Sequence, residues 1–131
     1  MPADRIIDLR SDSFRYANAG HHPPYLVRNK QVLAVRQNDL LLRISPYRYT
    51  NYRLKLRQDD SLVFYSDGLT EARNKAGNGE TYGTSRLETS LAAHNLSGMR
   101  AKRAVTAILK AVADEGFNIE DDITIQVYRH L

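Results

Sequence analysis

The chain has 131 residues, of which 42% are hydrophobic and 26% charged, as is ordinary for one soluble globular domain. It contains no cysteine, which excludes disulfides, thiolate zinc sites and cysteine nucleophiles and favours a reducing compartment. No stretch approaches the ~18 consecutive apolar residues of a membrane span, and the first residues lack the apolar core of a secretory signal. We therefore expect a cytoplasmic protein without a membrane span.

The net charge of +4 is unevenly distributed along the chain. Residues 28–57 contain eight Arg or Lys and the single acid Asp39, whereas residues 114–122 contain five acids and no base. Such asymmetry occurs on nucleic-acid-binding surfaces, but no RNA-recognition or helix-turn-helix pattern accompanies it here. The basic residues are better explained as the solvated faces of strands, and we expect no nucleic-acid partner.

The first half of the chain is predicted to form strands. Residues 6–9 and 14–19 are strand-like and flank the polar turn RSDS, which predicts a hairpin. After a Pro-Pro pair that excludes helix, YLVR and QVLAV flank Asn29-Lys30 and predict a second hairpin. A further short apolar run covers residues 40–44.

The next two strands are predicted from different patterns. Residues 52–57, YRLKLR, alternate between apolar and basic with a period of two, as in a half-exposed strand. Asp59 and Asp60 predict a turn. The near-continuous apolar run LVFYS, residues 62–66, predicts a central strand covered on both faces.

The second half is predicted to be mainly helical. After the Gly- and Asn-rich loop NKAGNGETYG, Ser85 and Glu88 have the spacing of a capping box that opens a helix. Apolar residues three and four positions apart predict another helix over residues 101–113, which Gly116 ends, and residues 123–129 alternate as a last strand. Strands, then two helices, then one strand predict an α+β layered domain.

Three carboxylates stand at the ends of predicted strands. Asp67 follows the LVFYS strand and is itself followed by Gly68, while Asp121 and Asp122 precede the last strand. If the two strands are antiparallel neighbours, the carboxylates lie at the same edge of the sheet and can share a cation. Oxygen ligands without His or Cys favour Mg²⁺, Mn²⁺ or Ca²⁺ over zinc. Each aspartate taken singly is better explained as a turn residue, and only their pairing favours a metal.

Two further motifs have simpler explanations. In YANAGHHPP, the adjacent His21 and His22 would point to opposite faces of an extended strand, which makes a shared metal ion unfavourable. A structural turn around Gly20 explains this motif better. In TEARN, Glu71 and Asn74 are interpreted as finishing a turn.

Taken together, four segments resemble a known family. YANAGHHPPYLV, LVFYSDGLTEARN, YGTSRL and DDITIQVYR occur in the order seen in the SpoIIE-like branch of the PPM (PP2C-type) metal-dependent Ser/Thr protein phosphatases. The resemblance extends over about residues 6–129. It implies a sandwich of two antiparallel β-sheets flanked by helices. It also implies two Mn²⁺ or Mg²⁺ ions at one edge of the sandwich, where they activate the water that attacks a phosphoserine or phosphothreonine.

The resemblance assigns roles to individual residues. Asp67 and Asp121 would be metal ligands, and the nucleophile would be the activated water rather than a side chain. The motif positions that would support the metal or shape the sheet are Gly68, Asp122, Asn18, Gly20 and His21. The implied substrate is a phosphorylated regulatory protein, such as an anti-sigma-factor antagonist of the STAS type.

The chain also departs from the family pattern. Family members carry an earlier Gly-Asp pair whose carboxylate bridges the two metals, whereas none of the seven glycines here is followed by Asp. We therefore expect residues 1–131 to correspond to the C-terminal two-thirds of the domain, with impaired activity and exposed strand edges that favour a homodimer. The alternative is a non-catalytic, phosphatase-like binding module in a signalling pathway.

Overall fold

The computed structural model describes residues 4–8, 13–17, 23–35, 52–94, 96 and 99–130. One antiparallel sheet has three strands, in the order β1-β2-β5, formed by Asp4–Asp8, Ser13–Ala17 and Tyr52–Lys55. The first two strands pair as the predicted hairpin. The predicted run at residues 40–44 and the motif residues Asn18, Gly20 and His21 lie outside the described residues.

The second antiparallel sheet has four strands, in the order β4-β3-β6-β9. Their bounds are Tyr25–Arg28 for β3, Gln31–Ala34 for β4, Ser61–Tyr65 for β6 and Ile125–Arg129 for β9. The predicted second hairpin is confirmed, with Asn29 in the left-handed region (φ 56°) at its tip. The prediction of a buried central strand is also confirmed, because all five residues of β6 are buried between β3 and β9.

The helices follow β6. They are the short α1 (Asp67–Thr70), α2 (Gly83–Ala93) and α3 (Ala101–Asp114), so both predicted helices are present. A small antiparallel ribbon of β7 (Arg73–Asn74) and β8 (Phe117–Asn118) joins the two ends of the helical region. Neither α1 nor this ribbon was predicted from the sequence. None of the helices in the described part of the chain is both long and apolar enough to cross a membrane.

The predicted capping box at Ser85 and Glu88 is wrong. The helix begins at Gly83, so Ser85 lies inside it, and its start has no side-chain cap. Tyr82, just before the helix, is 1% exposed and packs edge-on against Phe117. Because the buried ring of Tyr82 fixes the position of the backbone at residue 82, the helix starts directly after it, at Gly83. Glu88 instead accepts a hydrogen bond of 2.7 Å from the Tyr25 hydroxyl.

Alternate residues of the four-stranded sheet face two separate apolar clusters. Tyr25, Val27, Val63 and Tyr65 pack into the cluster that also contains the buried faces of α2 and α3. The opposite face contributes Leu26, Leu62 and Phe64, which pack with Leu56, the residue directly after β5. The second face therefore packs against the segment that directly follows β5. The arrangement is the predicted α+β sandwich of antiparallel sheets flanked by helices.

Candidate metal centre

The strands that carry the predicted carboxylates are antiparallel neighbours, as the metal hypothesis required. The register of β6 and β9 runs from Ser61 opposite Arg129 to Tyr65 opposite Ile125. The pairing continues one residue further, since Ser66 N–H donates to the Thr124 carbonyl (3.0 Å) and Ser66 Oγ accepts from Thr124 N–H (2.9 Å). The C-terminal end of β6 and the N-terminal end of β9 thus meet at one edge of the sheet.

Gly68 brings the two acidic segments into contact at this edge. A β-carbon at position 68 would stand 2.5 Å from the carbonyl oxygen of Asp122 and 2.7 Å from Cγ2 of Ile123. Steric overlap therefore excludes any residue with a β-carbon at position 68 unless the backbone shifts. The group that approaches this glycine is the backbone of the other aspartate segment.

The three aspartates are exposed at this edge. Asp67 is the first residue of α1, and its carbonyl accepts hydrogen bonds from Glu71 N–H (2.8 Å) and the Thr70 hydroxyl (3.2 Å). These bonds hold the Asp67 backbone in a helical turn at the strand end. Asp121 and Asp122 lie in the irregular segment before β9.

An open cleft of about 520 Å³ lies at the same edge. Its lining combines the carboxylates of Glu71, Glu120 and Asp121, one guanidinium and a threonine, and the full set is Gly68, Glu71, Arg73, Thr81, Glu120 and Asp121. Of the two predicted ligands, Asp121 lines the cleft. Asp67 directly precedes Gly68, which also lines it. Arg73 Nε lies 3.6 Å from Glu120 Oε2.

The β7–β8 ribbon and the loop that follows β7 contribute Arg73 and Thr81 to the lining of the cleft. Arg73 pairs with Asn118 in the ribbon and forms a second antiparallel bridge with Thr81. Arg86 stabilises this loop, because its Nη1 donates to the carbonyls of Thr81 (2.8 Å) and Tyr82 (3.1 Å).

The donor chemistry fits a hard divalent cation. The candidate ligands are carboxylate oxygens, which suit Mg²⁺ or Mn²⁺, and water commonly completes the shell of such ions. Within the described ranges, no group of three or more His, Asp or Glu side chains is arranged to hold a metal ion. The assignment of Asp67 and Asp121 as ligands therefore rests on two carboxylates and stays a prediction.

Sequence reasoning missed four of the cleft residues. Glu71 was interpreted as finishing a turn, and Arg73 lies in the same TEARN motif without a role of its own. Thr81 and Glu120 carry no local signal, because only the pairing of β7 with β8 and with Thr81 brings them to Arg73.

The fold is that of PP2C phosphatase domains. The phosphatase domain of the cell-fate determinant SpoIIE from Bacillus subtilis, in a manganese-presoaked form, superimposes with a TM-score of 0.72 at 21% identity, over 98% of this chain and 56% of that one. The RsbU and RsbW domains of a Mycobacterium tuberculosis protein give a TM-score of 0.70 at 27% identity, over 98% of this chain and 36% of that one.

Sequence comparison defines the family. Residues 5–131 match the family described as Stage II sporulation protein E (SpoIIE), and the chain belongs to this family. It is 30% identical over 127 residues to the phosphoserine phosphatase RsbU of Bacillus subtilis and 27% identical over 131 residues to protein IcfG of Synechocystis. These matches cover 93% and 95% of the chain, which spans 36% of RsbU and 20% of IcfG. The predicted SpoIIE-like PPM resemblance is confirmed, and PP2C phosphatases are metal-dependent enzymes.

Proposed function

We propose that this domain is a metal-dependent protein phosphatase that hydrolyses a phosphoserine or phosphothreonine, with Asp67 and Asp121 as ligands of Mn²⁺ or Mg²⁺. The observation that carries the proposal is the contact of Gly68 with the Asp122 backbone, which places both acidic segments at the edge of one cleft. The family assignment supports the same chemistry.

When bound, the metal would supply an activated water and a clamp for phosphoryl oxygens. The protein's own contribution is to present two carboxylates from the ends of paired strands and to hold them there. The pairing of Ser66 with Thr124 does this directly, because it joins the two segments by two hydrogen bonds. Two protein carboxylates hold a divalent ion weakly, so we expect a dissociation constant on the order of 0.1–1 mM and low activity.

The substrate we propose is a phosphorylated regulatory protein of the cytoplasm, such as an anti-sigma-factor antagonist of the STAS type. RsbU is named as a phosphoserine phosphatase, and the Mycobacterium tuberculosis relative carries RsbU and RsbW domains in one protein. We also propose that a homodimer forms through β4 and β9, the outer strands of the four-stranded sheet within the described part of the chain. Sedimentation at increasing protein concentration measures this association.

The test is calorimetric titration of the chain with Mn²⁺, using four charge-matched variants. Asp67→Asn and Asp121→Asn are expected to weaken binding at least tenfold, since each removes a ligand. Asp122→Asn changes the same charge one position away and is expected to alter binding by less than about threefold. Asp114→Asn, at the end of α3, controls for net charge and should leave the affinity unchanged.

Hydrolysis is then measured with a phosphoserine peptide as a function of Mn²⁺ concentration. Activity that saturates with the same Mn²⁺ dependence as binding, and that is lost in Asp67→Asn and Asp121→Asn, supports the phosphatase. Absence of saturable Mn²⁺ binding by the parent chain contradicts the metal site. The alternative of a non-catalytic binding module then predicts that the chain binds the phosphopeptide without hydrolysing it.

A further inference from the structure

We propose that Arg73 is the residue that binds the phosphoryl group of the substrate in the cleft, through its guanidinium and the non-bridging oxygens of a phosphate monoester. This inference rests on the proposed phosphatase function and adds the residue that recognises the phosphate.

Arg73 is held at the cleft by its backbone. It pairs with Asn118 on one side, through the β7–β8 ribbon, and with Thr81 on the other. The preceding residue, Ala72, is 1% exposed and anchored in the core. The Cα position of Arg73 is therefore fixed at the cleft, which Asp121 also lines.

The guanidinium of Arg73 remains accessible to a ligand. Its side chain is 71% exposed, and its contact with Glu120, itself 60% exposed, spans 3.6 Å. That distance is longer than a hydrogen bond, and exposed ion pairs of this kind contribute at most about 1 kcal/mol. A phosphate can therefore displace Glu120. The planar fork of arginine matches two phosphate oxygens at once, which a lysine cannot do.

Three other arginines have structural partners. Arg28 donates two hydrogen bonds to the buried carboxylate of Asp60, at 3.0 and 2.7 Å. Arg86 donates to two backbone carbonyls and lies 4.8 Å from the centre of the Phe117 ring. Arg129 donates to Asp59 at 2.9 Å. Arg73 differs from all three in its exposure, in its loose contact and in its place on the cleft.

The charges of the cleft also predict an order of binding. Three carboxylates and one guanidinium line it, so a phosphate dianion is repelled until a divalent cation offsets the negative charge. We expect the cation to bind first and phosphate second, with phosphate replacing Glu120 as the partner of Arg73.

The first test titrates the Mg²⁺-saturated chain with inorganic phosphate by calorimetry. Arg73→Gln is expected to weaken phosphate binding about tenfold or more, and Arg73→Lys to weaken it less, because charge is kept and the fork is lost. Arg103→Gln is the matched control, since this exposed residue of α3 lies about 16 Å along the helix axis from the end of α3 at Asp114, the end nearer in sequence to the ribbon. Mg²⁺ binding by Arg73→Gln should not weaken.

A second test does not depend on a metal. Glu71→Gln combined with Glu120→Gln removes two of the three cleft carboxylates, and this variant is expected to bind inorganic phosphate without Mg²⁺. Adding Arg73→Gln should abolish that binding. If no variant binds a divalent cation but this pattern holds, the metal proposal fails and the role of Arg73 stands. Equal phosphate affinity with and without Arg73 in both backgrounds overturns the inference.

Discussion

Gly68 and Asp122 lie so close that a β-carbon on Gly68 would stand 2.5 Å from the Asp122 carbonyl oxygen. The contact joins residues that follow one strand and precede another, two residues beyond the hydrogen-bonded pair of Ser66 and Thr124. The separation of the acidic segments is therefore set by the absence of a side chain at position 68.

Gly68→Ala is predicted to destabilise the protein and to weaken Mn²⁺ binding. The new methyl group overlaps a backbone carbonyl that cannot rotate away, so the segments must separate at a cost of about 2 kcal/mol. Urea unfolding and Mn²⁺ calorimetry measure the two effects. Gly79→Ala is the control, because its φ of 80° strains an alanine while nothing lies within 4 Å of the new group. It should lower stability and leave Mn²⁺ binding unchanged.

Asp60→Ala is predicted to lower the free energy of unfolding by about 3 kcal/mol, because it leaves the Arg28 guanidinium without its buried partner. Asp60 is 1% exposed and accepts from Arg28 and from Arg57 N–H. Asp59→Ala removes the more exposed ion pair with Arg129 and is expected to cost about 1 kcal/mol or less. Equal losses at positions 59 and 60 in urea unfolding would contradict the special role of the buried pair.

The same pair predicts a pH dependence of stability. Burial alone would raise the pKa of Asp60, but the hydrogen bonds from Arg28 and Arg57 N–H outweigh it and hold the pKa below its ordinary value. The unfolded carboxyl, with a pKa of about 3.9, is protonated first as the pH falls. The stabilisation is therefore complete above the unfolded pKa and is lost as the pH falls through the folded one. Urea unfolding of the parent and Asp60→Asn should give free energies that converge below about pH 4.

Arg86→Lys is predicted to loosen the loop that forms the cleft wall. A lysine cannot donate to the Thr81 and Tyr82 carbonyls with one planar group, so stability should fall by about 1 kcal/mol. Amide hydrogen exchange of residues 75–81 should become faster, while exchange in β6 stays unchanged. Arg103→Lys, on the exposed face of α3, is the matched control and should change neither. Unaltered exchange in Arg86→Lys would mean that the loop is held by other contacts.

Tyr25→Phe is predicted to lower stability by about 1.5 kcal/mol, because the Tyr25 hydroxyl donates to Glu88 across the interface of β3 and α2. Burial, followed by this hydrogen bond, raises the pKa of Tyr25, so the hydroxyl stays protonated as the donor. Glu88→Gln keeps an acceptor and should cost less. A double-mutant cycle of Tyr25→Phe with Glu88→Ala, which removes the acceptor, measures the coupling, and additive effects of these two variants would show that the hydrogen bond contributes nothing.

Local patterns determined much of this fold. The hairpin tip at Asn29 could be predicted because a tight turn depends on a few adjacent residues, and the burial of β6 because a continuous apolar strand needs cover on both faces. The positions of Asp67 and Asp121 at one edge also followed from the sequence, given antiparallel pairing of β6 and β9. The role of the two aspartates as ligands stays a prediction.

Tertiary structure alone decided the start of α2 and the composition of the cleft. Ser85 and Glu88 have the local form of a capping box, but the burial of Tyr82 and the bond from Tyr25, 63 positions from Glu88, override it. Arg73 meets Glu120 only because a two-residue ribbon pairs Arg73 with Asn118. Such contacts depend on which distant segments pack together, and the free energy of that packing cannot be inferred from the spacing of neighbouring residues.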